Sequence, residues 1–205
     1  MIKQFIQLFC FYILFISCRH NASISSGDKN NIIISIQPFS GIPTAEKEYV
    51  FNELKKKYPL VEIKENIDLP LLAYNAIRNR YRADSLINFL HTGVATDHII
   101  IGLTNRDISR TKDNVADWGV MGLGFCPGNA CVASSFRLQA YDKSKQLFKV
   151  AIHELGHTFG LPHCSVSTCF MHDAEGKNRS NEENEFCGKC KSYLISKGWK
   201  FSTKN

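Results

Sequence analysis

Residues 153–163 read His153-Glu154-Leu155-Gly156-His157-Thr158-Phe159-Gly160-Leu161-Pro162-His163. On a helix, His153 and His157 stand one turn apart on the same face, so both imidazoles can reach one metal ion. Glu154 is rotated away from that face, close enough to act on a water at the metal without being a ligand. A third ligand must come from outside the helix. Gly160 can take the left-handed conformation that ends a helix, and Pro162 blocks its continuation, so the reversed chain can return His163 to the same ion. Three histidines leave a coordination position for water, the arrangement of a catalytic rather than a structural zinc.

The flanking residues agree with a helix. Leu147, Ala151, Leu155, Thr158 and Phe159 recur at helical spacing between 144 and 159, and Asp142 or Ser144 is placed to cap its start. An ordinary amphipathic helix with two incidental histidines would leave Glu154, Gly160 and His163 unexplained.

The N-terminus has the pattern of an export signal. Lys3 precedes an apolar run over residues 5–16 that is too short to span a membrane. Ser17-Cys18 then resembles a lipobox, with Cys18 as the lipidated residue. A plain cleaved signal or an uncleaved anchor are the alternatives. This reading divides the chain into a signal at 1–17, a polar tether at 18–31 and a single domain at 32–205. The product would be a lipoprotein tethered to the membrane of a bacterial cell envelope, facing the periplasm or exterior. The net charge of +6 is mild. Basic clusters at 55–57 and 78–82 read as solvated faces, and no nucleic-acid-binding module is visible.

Along the domain, residues 32–39 read as a first strand and 44–58 as a helix stopped by Pro59. Residues 60–67 read as a second strand, 71–90 as one or two helices, and 98–103 as a buried third strand. Residues 118–125, with three glycines, read as a strand or structured loop. Residues 130–138 alternate, which predicts an antiparallel edge strand along which an extended substrate would lie. A C-terminal helix is expected over 185–197.

The last four cysteines follow as Cys164-x4-Cys169-x17-Cys187-x2-Cys190. Two closely spaced pairs suit a four-thiolate zinc site. Disulfides or a redox-active Cys187/Cys190 pair are the alternatives. Cys126 and Cys131 flank a turn and fit a disulfide or two thiols equally well. His20, His91, His98 and His172 lack ligand-type spacing.

The histidine motif resembles that of the metzincin metallopeptidases. Its continuation through Cys164, Cys169 and Met171 to Cys187-x-x-Cys190 resembles the archaemetzincin family in particular. The stretch from Met171 to Cys187 is slightly shorter than that family's pattern. The resemblance implies an α+β, zincin-like catalytic domain: a mixed twisted sheet with an antiparallel edge strand, an active-site helix, and a small C-terminal zinc-bearing subdomain. The two parts would be 32–160 and 161–205. It implies two Zn²⁺ ions, one catalytic on His153, His157 and His163, the other structural on Cys164, Cys169, Cys187 and Cys190. Met171 would form the Met-turn beneath the histidines. Asp173 stands where some relatives carry a tyrosine ligand, so no tyrosine switch is expected. The implied function is hydrolysis of peptide or protein substrates with Glu154 as general base. The rivals are a non-catalytic, zinc-stabilised envelope binding protein and a thiol–disulfide oxidoreductase. The oligomeric state is not legible.

Overall fold

A computed structural model describes residues 32–173 and 181–203. The leader, Cys18 and His20 lie outside the described residues. In chain order the elements are β1 (Ile33–Pro38), α1 (Thr44–Lys55), β2 (Val61–Ile63), β3 (Tyr74–Asn75), β4 (Arg80–Arg82) and α2 (Ala83–Thr92). They continue with β5 (His98–Thr104), β6 (Ile108–Lys112), β7 (Val115–Val120), β8 (Gly122–Gly124), β9 (Ala130–Ser134), α3 (Lys143–Thr158) and α4 (Gly188–Ser196). A mixed α+β fold results.

The main sheet has the order β2-β1-β5-β9-β8, with the first four strands parallel and β8 antiparallel to β9. Parallel strands need cover on both faces, which is why β5 carries Ile99, Ile100 and Ile101 in succession. Alternate residues of β5 serve the two faces. Ile99, Ile101 and Leu103 join the core under α1 and α3, while Ile100 faces the cluster under α2. Gly102 lies on the α2 side. A Cβ there would stand 2.8 Å from both Leu90 and Phe39, so the close approach of α2 requires glycine. A second, four-stranded sheet, β3-β4-β6-β7, lies beside α2.

Helix α3 buries Leu147, Ala151 and Leu155 completely against the sheet. Full burial of a leucine-sized side chain contributes roughly 1.5–3 kcal/mol, so this face holds the helix firmly. The same core continues past Gly160. Trp199 stacks edge-on against Tyr58 and Phe159, each at 5.0 Å, and Phe186 packs on Phe170 at 5.3 Å. The C-terminal segment is therefore tied to α1 and α3 through one aromatic cluster.

Several expectations change. Residues 130–138 do not form an edge strand. Only β9 is extended, it pairs on both sides, and all five of its residues are buried. The apparent alternation arose because small residues fill a two-sided interior position. The edge is β8. Residues 71–82 are not helical: a 3-10 turn at Leu71–Ala73 leads into the β3–β4 hairpin, which turns through Asn79 at φ 49°. Helix α2 occupies only the later part of the expected helical region. The second strand is limited to β2, with one further bridge between Phe39 and Ile67.

Candidate metal centres and catalytic cleft

Helix α3 ends in a Schellman motif. Gly160, at φ 90°, donates its N–H to the His157 carbonyl at 2.7 Å, and Leu161 donates to Gly156 at 3.1 Å. The chain then reverses and returns His163 to the helix. The three imidazole centroids lie 4.7, 5.0 and 5.4 Å apart, and one ring nitrogen from each lies within 4.8 Å of the others.

Carbonyl groups set the tautomers. His153 Nδ1 lies 2.6 Å from the Phe170 oxygen, and His157 Nδ1 lies 2.7 Å from the Leu161 oxygen. Each Nδ1 therefore carries the hydrogen and donates it. The Nε2 lone pairs then face each other across 3.1 Å. That opposition is unfavourable unless a cation sits between them. Zinc–nitrogen bonds of about 2.0–2.1 Å in a tetrahedron space the nitrogens at about 3.3 Å, so the pair fits zinc. Burial, reinforced by His157, pushes the His153 pKa down to about 3, and burial also lowers that of His157. Both rings are thus held neutral, as metal ligands must be.

Glu154 is buried against β8. A Cβ on residue 122 would come within 2.5 Å of the Glu154 carboxylate, and one on residue 124 within 2.9 Å of its backbone oxygen. Gly122 and Gly124 thereby admit the helix and its carboxylate to the sheet edge. Burial pushes the Glu154 pKa up to about 8, opposed by the field of Arg110. Met171 is fully buried, with its sulfur against Gly156, between the two helical histidines in sequence. The Cys164 N–H donates to the Met171 carbonyl at 2.7 Å, which ties this turn to the residue after His163. Asp173 lies 3.3 Å from His163 Nδ1.

The sulfurs of Cys164, Cys169, Cys187 and Cys190 all lie within 4.8 Å of one another, and none forms a disulfide. The Cys164 and Cys187 sulfurs are 3.8 Å apart. Tetrahedral zinc with bonds of about 2.3 Å spaces its sulfurs at about 3.8 Å, so this set also fits zinc. The Cys187 N–H points at the Cys169 sulfur, 3.4 Å away. Burial raises the Cys187 pKa, but hydrogen bonds from Cys190, Cys164 and Cys169 outweigh it and bring the thiol down to about 7. Cys126 and Cys131 are free thiols, the first exposed and the second buried.

The histidines open onto a cleft of about 760 Å³. Its walls include Arg110, Trp118, Arg137, Lys149 and Glu183, none of which carries a motif. Only helical spacing offered a signal, since Lys149 lies one turn before His153. Burial raises the Glu183 pKa to about 7, opposed by Lys149. An unfolded glutamate loses its proton near 4.5, so between about pH 4.5 and 7 the folded state binds more protons than the unfolded one. Stability from this group therefore falls as pH rises through that window. Glu183→Gln is expected to flatten the fall. Denaturant midpoints at pH 5 and pH 8 check this, and an unchanged difference between them would contradict it.

The family model for Peptidase family M54 matches residues 44–196. The chain belongs to Peptidase family M54. Among its relatives, the archaemetzincin of Haloquadratum walsbyi is 30% identical over 177 residues, covering 80% of this chain and 99% of that protein. The archaemetzincin of Methanopyrus kandleri is 33% identical over 135 residues, covering 64% and 75%. The crystal structure of Methanopyrus kandleri archaemetzincin superposes with a TM-score of 0.70 at 27% identity, covering 82% of this chain and 95% of that one. Archaeoglobus fulgidus archaemetzincin, crystallised with malonate, gives 0.68 at 29% identity, covering 78% and 98%. As an M54 archaemetzincin, the chain is a zinc metallopeptidase and acts on peptide or protein substrates. These named relatives are archaeal, which lends no support to a bacterial envelope. Among the described residues no helix is long and apolar enough to cross a membrane.

Proposed function

We propose that peptide hydrolysis takes place at the centre formed by His153, His157 and His163, with Glu154 as general base. The observation that carries this reading is the facing pair of Nε2 atoms, 3.1 Å apart, beside a buried carboxylate at the sheet edge. Zinc bound there would supply a Lewis acid for the scissile carbonyl and for the attacking water. Glu154 takes the proton of that water and later delivers it to the leaving amine. Burial makes its carboxylate a better proton acceptor than a solvated one. Substrate lies extended against β8, whose partner among the described residues is β9 alone, and adds a strand at that edge.

In this reading a second zinc, held by Cys164, Cys169, Cys187 and Cys190, is structural, because four thiolates close its coordination sphere. Met171 acts as the Met-turn, and Asp173 leaves the catalytic ion without a tyrosine ligand. The two parts of the domain in this reading are residues 32–160 and 161–205, joined at the turn after Gly160. A non-catalytic binding protein finds no support beside membership of a peptidase family, and an oxidoreductase leaves the histidines without a role.

The test is cleavage of a proteome-derived peptide library by the purified protein, with loss on chelation and recovery on adding zinc. A library left intact by fully zinc-loaded protein would refute the reading. On the leader sequence alone we also propose a membrane tether through lipidated Cys18. The mass of the native N-terminal peptide checks it, and an unmodified terminus beyond residue 18 would exclude it.

A further inference from the structure

The β6–β7 hairpin contributes Arg110, Trp118, Gly119 and Val120 to the cleft lining. Its antiparallel register sets Arg110 across from Trp118, so the two side chains share one face, and both line the cleft with Glu154. A register irregularity follows immediately, between Arg110 and Lys112. Bulges of this kind re-aim side chains at the rims of sites.

The other cleft cations are engaged. Arg137 makes two bonds to Asp107, at 2.8 and 2.9 Å, and lies across Gly119. Lys149 feels the charge of Glu183, which also lines the cleft. Asp173 lies beside His163, and Glu154 serves the attacking water in the reading above. Arg110 acts on Glu154 through its field alone and donates its Nε–H to the Thr111 carbonyl at 3.2 Å. Among the described residues no carboxylate pairs with its two terminal NH₂ groups. A guanidinium presents those groups as a fork that matches the two oxygens of a carboxylate.

We propose that Arg110 is a specificity-determining residue that binds a carboxylate of the peptide substrate. The carboxylate belongs to an aspartate or glutamate near the scissile bond, or to the substrate's own C-terminus. Trp118, exposed beside it, supplies an apolar surface for the methylene groups that carry the charge. This inference rests on the proposed hydrolytic centre.

The test compares kcat/KM of the full, zinc-loaded chain on three sets of internally quenched peptides. The first set is neutral and amidated. The second places aspartate or glutamate singly on either side of the scissile bond. The third is neutral with a free C-terminal carboxylate at varied distance. The wild-type chain is expected to prefer one acidic set over the neutral set by about tenfold, the scale of one charge-assisted hydrogen bond. The responding set identifies the source of the carboxylate. In Arg110→Gln the acidic-to-neutral ratio should fall to about one. Arg110→Lys should keep part of the preference, having the charge without the fork. A wild-type ratio near one overturns the proposal. So does an Arg110→Gln ratio equal to the wild type's, which would mark Arg110 as serving stability or chemistry rather than selection. Cleavage of neutral peptides without acidic preference sinks this inference alone, whereas no cleavage of any set sinks the hydrolytic centre with it.

Discussion

A Glu154→Gln chain is expected to keep its fold and its metal content while hydrolysing peptides about 10²–10⁴-fold more slowly. Glutamine has nearly the volume of glutamate, so the close packing against Gly122 and Gly124 survives. The three imidazoles keep their carbonyl partners, since Phe170 and Leu161, not Glu154, hold the Nδ1 atoms. What disappears is the carboxylate proposed as the base for the attacking water. Burial also makes the carboxylate costly to ionise and pushes its pKa up. The variant should therefore melt no lower than the parent at neutral pH. Parallel measurement of kcat, zinc content and melting temperature checks all three parts. Unchanged turnover would assign the activity to another group.

Cys187→Ser is expected to lose one zinc per chain and to lower the melting temperature by about 10 °C. Structural zinc contributes apparent binding energies of about 10–16 kcal/mol in isolated small domains. Here the aromatic cluster around Trp199 still holds the C-terminal segment, so the expected loss is smaller, about 3–5 kcal/mol. For a domain of this size each kcal/mol is worth roughly 2–4 °C. Cys187 is also the N-cap residue of α4, where the helix end favours the thiolate. Catalysis should fall as well, because Cys164 is both a member of the sulfur cluster and the neighbour of His163. Normal melting with two zinc ions retained would show that the cluster does not hold metal through Cys187.

Helix α3 and its reversal were legible because the information is local. Helical spacing, Gly160 and Pro162 act within one stretch of chain, and the helix ends at Thr158 as expected. The convergence of the four cysteines was legible for a different reason, that paired spacing is rare outside metal or disulfide chemistry. The β6–β7 hairpin is not legible in the sequence because Arg110, Thr111, Lys112, Asp113 and Asn114 carry no apolar alternation. Its turn relies on Asp113 at φ 51°, which sequence reports weakly. The sequence of β9 reads as an edge strand because alternating small and large residues look alike whether one face or two are covered. The roles of Gly122 and Gly124 depend on Glu154, 30 or more residues away, and no local pattern encodes that contact. Arg110 reaches the cleft by tertiary packing alone.

If three histidines hold a zinc ion beside Glu154 while four cysteines hold another, each chain carries two anomalous scatterers. They are located by anomalous diffraction from crystals of the purified protein, recorded on both sides of the zinc edge. Two peaks are expected, one among the Nε2 atoms of His153 and His157 and the His163 ring, the other at the centre of the four sulfurs. No peak at the histidines, or disulfides in place of the second peak, would contradict that arrangement.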